Sequence, residues 1–303
     1  MDNTNTLKGI IYAFMASLGS GIAIFYSKTS VVEVDPLILT TSRNILATLA
    51  FLLILISSGK FRKIRKLGKR NLRLLILTGL VGGALPFYLY FTGLQLIEGQ
   101  TANVIHKTLF IWTSLLAITF LGERLNPLYL LSYLAIILGN FYFAPLKFSG
   151  SKGEIMIFAA TILWAVEHII AKQVLKSVSA EHVGLFRLGI GSTLLLLAVL
   201  LTGRGSIMAN LSSAQTLIIL IGSLMVFTTL YFWYRALKYA PASLATLVYT
   251  FSVVVGNALT GAFNKVNFPL TTLYSSLLIT AGVIVVILLQ QKPLRKQQYL
   301  HHG

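Results

Sequence analysis

Long apolar stretches recur along almost the whole chain and are separated by short polar segments. A helix of about 20 apolar residues is long enough to cross the roughly 30 Å hydrocarbon layer of a membrane. Ten stretches approach this length, so the pattern predicts an all-α integral membrane protein with ten transmembrane helices. The predicted spans are residues 9–27, 37–58, 74–94, 101–121, 128–146, 154–171, 182–202, 215–234, 242–262 and 270–290.

The composition agrees with a membrane protein and excludes several other classes. Hydrophobic residues make up 56% of the 303 residues and charged residues 11%, and the mean hydropathy is +0.80. Because the predicted spans leave only short loops, we expect no soluble domain. The absence of cysteine from the sequence excludes disulfides, thiol nucleophiles and cysteine metal sites. The first stretch is long and lacks a clear cleavage site, so it is interpreted as a retained span and not a signal peptide.

The basic residues are distributed unevenly between the two sides of the predicted bundle. Of the 25 Lys and Arg residues, 17 lie in loops on the side of the N-terminus, 5 on the opposite side and 3 within spans. The positive-inside rule then predicts the cytoplasmic (inner) membrane, with both termini in the cytoplasm. The basic loop at 60–73 is expected to face anionic lipid headgroups, with a specific polyanion site as the alternative. No nucleic acid is expected as a partner.

The two halves of the chain are similar to each other. Residues 8–28 align with residues 152–172 at an offset of 144, and Arg43 falls on Arg187 at the same offset. Each half holds five predicted spans, and five is odd, so the second half enters the membrane from the opposite side. This predicts two inverted five-helix repeats, an arrangement that transporters use to open one central site to either side in turn.

The boundary between the repeats is predicted in the Ser- and Gly-containing segment 147–153, which suits a short connection. The predicted domains are therefore residues 1–149 and residues 150–303. Duplication that merely builds a stable bundle is the alternative to a transport role for the repeat.

The predicted span 101–121 carries a polar stripe. Asn103, His106, Lys107 and Ser114 fall within about one third of a helical wheel, and a Lys in a span costs on the order of 3 kcal/mol. We expect this stripe to face a substrate cavity, where Lys107 would attract a carboxylate or phosphate. The alternatives are a snorkelling anchor for Lys107 and a structural hydrogen bond for His106, whose intrinsic pKa otherwise suits proton exchange.

Three further charges lie within predicted spans. Glu167 is the only carboxylate there, and it could pair with Lys107, His168 or Arg187, or reach the interface. Arg43 and Arg187 occupy equivalent positions in the two halves, which favours a shared structural role over contact with substrate. These three charges are interpreted as coupling or structural groups, and His168 as a substrate contact.

Aromatic residues provide candidate walls for a cavity. Tyr88 and Tyr231 are equivalent at an offset of 143, and Trp164 lies one turn from His168. Tyr249 of the second half is equivalent to His106 of the first. Tyr and Trp rings can stack on a planar ligand and offer a polar tip, so these aromatic residues are predicted to contact substrate.

Enzymatic functions have little support in the sequence. No Walker A motif is present, and the histidines have neither HxxxH nor HExxH spacing, so we expect no ATP hydrolysis, no metal and no cofactor. His301 and His302 lie in a tail that is expected to fray.

Several motifs identify a family. Phe120-Leu121-Gly122-Glu123-Arg124-Leu125 ends the fourth span, Pro127 and Gly139 follow, and Gly93-Leu94 has a counterpart in residues 236–243. With these features the whole chain resembles the EamA-type members of the drug/metabolite transporter superfamily. The resemblance implies ten spans in two inverted halves, cytoplasmic termini and transport of a small molecule.

The sequence also departs from that family pattern. Asn264-Lys265-Val266 replaces the second glutamate-arginine pair, and Thr108 and Phe251 stand where a helix-bending proline is frequent. The one proline clearly within a span, Pro86, is expected to kink the third helix.

Together these observations predict a non-ATP secondary transporter that exports an amino acid or related carboxylate. The alternatives are a flippase for a lipid-linked phosphate, held by Lys107 and Arg43, and a membrane interaction protein without transport.

Overall fold

The structure, a computed structural model, describes residues 3–124, 127–142, 148–264 and 269–300. Within these ranges the chain forms helices joined by short connections, and no strand occurs. The helices are α1 (Asn3–Glu33), α2 (Pro36–Ser57), α3 (Lys69–Gly83), α4 (Leu85–Leu96), α5 (Gly99–Lys107), α6 (Leu109–Leu121), α7 (Leu130–Ile137), α8 (Lys152–Val174), α9 (Ala180–Leu201), α10 (Gly205–Ala209), α11 (Ser213–Tyr239), α12 (Ala242–Tyr249), α13 (Ser252–Asn264) and α14 (Leu270–Leu300). The predicted tail residues His301 and His302 lie outside the described residues.

Nine helical segments among the described residues are long and apolar enough to cross a membrane. The predicted span 128–146 corresponds to a shorter apolar helix, Leu130–Phe141, and residues 143–147 lie outside the description. Ten spans therefore remain a prediction. The nine segments are Thr4–Glu33, Pro36–Ser57, Lys69–Leu96, Thr101–Leu121, Lys152–Val174, Ala180–Leu201, Ser213–Tyr239, Ala242–Phe263 and Leu270–Gln290.

The third span is interrupted where its proline predicts. Helix α3 ends at Gly83 and α4 begins at Leu85, with Ala84 between them. Pro86 is the second residue of α4, where its missing N–H removes no helical hydrogen bond. The break exposes the carbonyl of Gly83, which accepts a hydrogen bond from Asn44 Nδ2 at 3.2 Å.

The fourth and ninth spans are also interrupted, although neither has a proline at the break. Helix α5 ends before Thr108 and α12 ends before Thr250, so the expectation of one continuous helix over 101–121 needs correction. The Thr108 hydroxyl donates to the Ile105 carbonyl at 2.8 Å, and the Thr250 hydroxyl donates to Leu247 at 2.5 Å. These local bonds compete with the helical ladder and tighten the backbone.

The two halves pack crosswise around the centre of the bundle. Helix α1 of the first half lies along α11 of the second, and α8 of the second half lies along α4 of the first. Each contact depends on a glycine, and the two glycines, Gly9 and Gly153, occupy equivalent positions of the two halves. A Cβ on Gly9 would lie 2.5 Å from the Ala240 nitrogen, and one on Gly153 would lie 2.6 Å from Ile97 Cγ2. The absent side chains let these helices approach closely.

Equivalent lysines lie toward the carboxyl end of the first helix of each half. Lys28 Nζ donates to the carbonyls of Leu94 and Ile97 at 2.8 and 2.6 Å. Lys172 Nζ donates to Leu237 and Ala240 at 2.5 and 2.6 Å. In both halves an ammonium therefore satisfies carbonyls at the carboxyl end of a neighbouring helix, where the helix dipole favours a cation.

Candidate functional site

A cavity of about 110 Å³ lies at the centre of the bundle. Both halves line it, through α1, α2, α4, α5 and α6 from the first and α8, α9, α11 and α12 from the second. The break at Thr108 lies next to it, since His106 and Leu109 on either side of the break both line the cavity. The lining is mostly apolar and aromatic and includes two arginines, and a space of this size has room for several water molecules or a small organic molecule.

Two groups of edge-on and tilted rings line the cavity and are here together called the aromatic wall. The His106 ring lies 5.3 Å from Tyr90 and 5.1 Å from Trp164, measured between centroids. The Trp233 ring lies 4.5 Å from His168 and 4.8 Å from Tyr249. The wall consists of Tyr90, His106, Trp164, His168, Trp233 and Tyr249, all of which line the cavity.

The cavity lining follows the internal repeat. Residues at equivalent positions of the two halves face the same space, but their chemistry differs at most positions. The equivalent pairs in the lining are Ser20 and Trp164, Ile24 and His168, Arg43 and Arg187, Phe87 and Leu230, Tyr90 and Trp233, and His106 and Tyr249.

The second-half arginine is held in a buried ionic network. Arg187 Nη1 lies 3.2 Å from Glu167 Oε2, and its Nε donates to the Gly82 carbonyl at 3.1 Å. The Tyr234 hydroxyl accepts a bond from Arg187 at 3.0 Å and donates to Glu167 Oε1 at 2.8 Å. Glu167 is 0% exposed and lies 3.8 Å from His168 Nε2. Of the partners expected from sequence, Glu167 therefore takes Arg187 directly and has His168 nearby.

The first-half arginine has no such network. Arg43 is 1% exposed, and its bonds to Ser27 Oγ and the Gly222 carbonyl are long, at 3.5 and 3.3 Å. The guanidinium lies 5.1 Å from the centroid of the Phe91 ring, and its Nε has no partner among the described residues. The repeat explains the difference, because Ala23 stands at the position of Glu167.

Lys107 and Asn103 lie in a smaller cavity of about 20 Å³ beside the central one. His106, Leu109 and Tyr249 line both spaces. Lys107 is 6% exposed and shares the small cavity with Thr246 of the second half. Its side chain is thus enclosed within the protein, which does not fit a snorkelling anchor.

Other residues predicted to contact substrate lie elsewhere. Among the described residues, Ser114, Tyr88 and Tyr231 are outside the lining of the central cavity. The Ser114 hydroxyl lies 3.3 Å from the Tyr133 hydroxyl, and Tyr88 packs against a small cluster of apolar residues. The Tyr231 ring lies 3.5 Å beneath the Arg235 guanidinium.

Sequence reasoning missed Tyr90 and Trp233, which line the cavity in place of Tyr88 and Tyr231. Two residues along a helix differ by about 200° in direction, so each pair faces away from the other. Both pairs are repeat-equivalent aromatic positions, and the repeat alone does not distinguish between them. The additional signal lies in the neighbouring apolar residues, because Phe87 and Leu94 share the buried face with Tyr90.

Comparison with known proteins agrees with this architecture. A sequence model of the EamA-like transporter family matches the chain twice, over residues 7–144 and 151–288. No curated protein matches the sequence significantly. A solved structure titled "Crystal structure of protein" is similar with a TM-score of 0.72 and 19% identity, covering 95% of this chain and 99% of that chain. At this identity the likeness supports the fold alone. The two matches to the family cover most of the sequence, and the chain therefore belongs to the EamA-like transporter family, a multi-pass membrane protein as its sequence pattern predicts.

Proposed function

We propose that this protein is a secondary transporter that moves a small organic metabolite across the cytoplasmic membrane by alternating access. The observation that carries the proposal is a central cavity lined by equivalent helices of both halves. In this proposal the halves are residues 1–149 and 150–303, inverted with respect to each other, with ten spans and both termini in the cytoplasm. Rocking of one half against the other would open the cavity to each side in turn.

The proposed substrate class is an amino acid or related carboxylate, moved outward. Arg43 contributes a buried cation to the cavity lining, and Lys107 lies behind His106 in the adjoining space. An anion is therefore favoured over a cation in this region. The aromatic wall offers apolar surface for the rest of the molecule. Movement of the substrate would be facilitated, exchanged or driven by an ion gradient, since the sequence has no Walker A motif.

The test is counterflow in sealed liposomes that contain the purified protein, with a broad panel of labelled amino acids and carboxylates. We expect at least one member to accumulate, and Lys107→Met to reduce its initial rate at least about tenfold while folded yield is unchanged. The control is Lys176→Met, at an exposed lysine remote from the cavity, which should transport at the wild-type rate. Absence of counterflow for the whole panel by folded wild-type protein would contradict the proposal.

A further inference from the structure

Five buried polar atoms in the lining of the central cavity have no hydrogen-bond partner within the described part of the chain. Each belongs to a side chain that is at least about nine-tenths buried, so bulk water does not replace the missing partner. A native protein leaves few such groups, and a cluster of them around one cavity points to a ligand. The atoms are Arg43 Nε, Tyr90 Oη, Trp164 Nε1, Thr229 Oγ1 and Trp233 Nε1.

All five of these atoms can donate a hydrogen bond. An arginine Nε and an indole nitrogen are donors only, and the hydroxyls of Tyr90 and Thr229 can also donate. Glu167 does not line the cavity; its Oε1 accepts a bond from Tyr234, and its Oε2, which has no hydrogen-bond partner among the described residues, is compensated by Arg187 at 3.2 Å. Among the described residues the cavity lining therefore has unused donors and no carboxylate. A ligand that satisfies it must supply acceptors.

The charges near the cavity also favour a ligand that supplies acceptors, and in particular an anion. Glu167 compensates Arg187 at 3.2 Å, whereas no carboxylate among the described residues forms a salt bridge with Arg43. A buried guanidinium whose only polar bonds are 3.3 and 3.5 Å long is poorly compensated, and a ligand carboxylate can accept two short hydrogen bonds from it. Arg43 is thus the residue in the lining with the greatest capacity for an anion.

We propose that the cavity takes an organic carboxylate without an ammonium group, with the carboxylate on Arg43 and an apolar or planar body against the aromatic wall. This inference rests on the proposed transport function and narrows its substrate class. It makes Arg43 a specificity-determining residue, in contrast to the shared structural role that its equivalence with Arg187 suggests.

The same features disfavour a zwitterionic amino acid. Its ammonium group would lose water on entering the cavity and would need an acceptor or an anion in return. No carboxylate lines the cavity within the described part of the chain, its side-chain acceptors are neutral hydroxyls and imidazole nitrogens, and the cationic Arg43 would repel the ammonium. Contact with an aromatic face compensates only in part. An amino acid should therefore bind more weakly than the carboxylate with the same body and no amino group.

The test uses four probes that share one phenyl body: 3-phenylpropionate, L-phenylalanine, 2-phenylethylamine and the neutral 3-phenylpropanamide. Binding to purified full-length protein is followed by quenching of tryptophan fluorescence, because Trp164 and Trp233 line the cavity, and by the shift in unfolding temperature. We expect 3-phenylpropionate to bind at least about tenfold more tightly than L-phenylalanine, and 2-phenylethylamine to bind most weakly. Equal or tighter binding of L-phenylalanine, or no binding by any probe, would overturn the inference.

Substitution of Arg43 separates a ligand role from a structural one. Arg43→Gln should weaken binding of 3-phenylpropionate at least about tenfold and leave binding of 3-phenylpropanamide within about twofold. Arg43→Lys should recover part of the lost affinity. Equal loss for both probes would overturn the inference, since a disturbed cavity would affect the neutral probe as well. If Arg43→Gln does not fold, Arg43→Lys and the wild-type probe series still decide the question.

Failure of this inference and failure of the transport proposal give different results. If L-phenylalanine is bound and counterflowed better than 3-phenylpropionate, the protein is still a transporter but the substrate class proposed from Arg43 is wrong. If 3-phenylpropionate binds through Arg43 and no labelled compound of the metabolite panel crosses the membrane, the site is right and the transport proposal is wrong.

Discussion

Arg43 and Arg187 occupy equivalent positions in two similar halves, yet their surroundings differ. Arg187 lies between a carboxylate, a tyrosine hydroxyl and a backbone carbonyl, all within 3.2 Å. Among the described residues, Arg43 has only two hydrogen bonds, both long and both to neutral groups. The comparison teaches that duplication preserved the buried cation while the sequences around it diverged, so that one cation is compensated inside the protein and the other is available to a ligand.

The surroundings of the two arginines differ because two equivalent positions of the repeat carry different residues. Glu167 and Tyr234, which complete the network in the second half, correspond to Ala23 and Phe91 in the first. Ala23 has no charge to offer, and Phe91 presents its ring to the guanidinium at 5.1 Å. A cation over an aromatic face is stabilised by about 1 to 2 kcal/mol, which is less than a buried ion pair with hydrogen bonds provides.

Substitution of the two arginines is expected to give the largest difference in stability between the two halves. Arg187→Gln leaves the carboxylate of Glu167 buried without its cation, so we expect a loss of about 3 to 5 kcal/mol in the free energy of unfolding. Arg43→Gln removes two long hydrogen bonds and the contact with the Phe91 ring, and should cost about 1 to 2 kcal/mol. Denaturant titration of the purified variants in detergent measures both values. Equal losses would show that the two arginines are equivalent after all.

A second difference between the halves concerns the starts of α5 and α12, the first helices of the interrupted fourth and ninth spans. Gly122 adopts φ of 65° and ends α6, and the following Glu123 accepts bonds from the Ala242 and Ser243 nitrogens at 2.7 and 3.1 Å. A carboxylate of the first half thus caps α12 of the second. The corresponding glutamate-arginine pair is replaced by Asn264-Lys265-Val266, most of which lies outside the described residues.

Substitution of the two glutamates near the starts of α5 and α12 should change the free energy of unfolding by a smaller amount, and by different amounts in the two halves. Glu123→Ala removes a charged cap that joins the halves, and we expect it to lower the free energy of unfolding by about 1 to 2 kcal/mol. Glu98→Ala is the matched control, because Glu98 precedes α5 and its side chain makes no capping bond. The control should change stability by less than about 0.5 kcal/mol. A similar loss in both variants, by denaturant titration, would rule out a specific role for the cap.

Much of the architecture follows from the sequence because membrane spans have a strong local signal. The apolar runs, the equivalence of Lys28 and Lys172, and the bend near Pro86 all depend on neighbouring residues or on simple alignment. The breaks at Thr108 and Thr250 do not, since a threonine in a helix only sometimes bonds back to the preceding turn.

The site was less predictable for two physical reasons. Glu167 had several candidate partners because its contacts, Arg187 and Tyr234, come from other helices and sequence spacing does not fix which helices adjoin. Which of Tyr88 and Tyr90 faces the cavity depends on the rotation of α4 about its axis, which the repeat does not determine. The equivalence of Arg43 and Arg187 favoured a common role, and only their neighbours in space reveal the difference between them.

The most direct test of the central claim is to give the first half the carboxylate that the second half has. Ala23 lines the cavity at the position equivalent to Glu167, and its carbonyl accepts a bond from Ser27, which in turn lies 3.5 Å from Arg43. We would measure the Kd of 3-phenylpropionate for Ala23→Glu and for its isosteric neutral control, Ala23→Gln. If Arg43 is the available cation, Ala23→Glu should bind the probe at least about tenfold more weakly than Ala23→Gln. Equal affinity of the two variants would contradict the account.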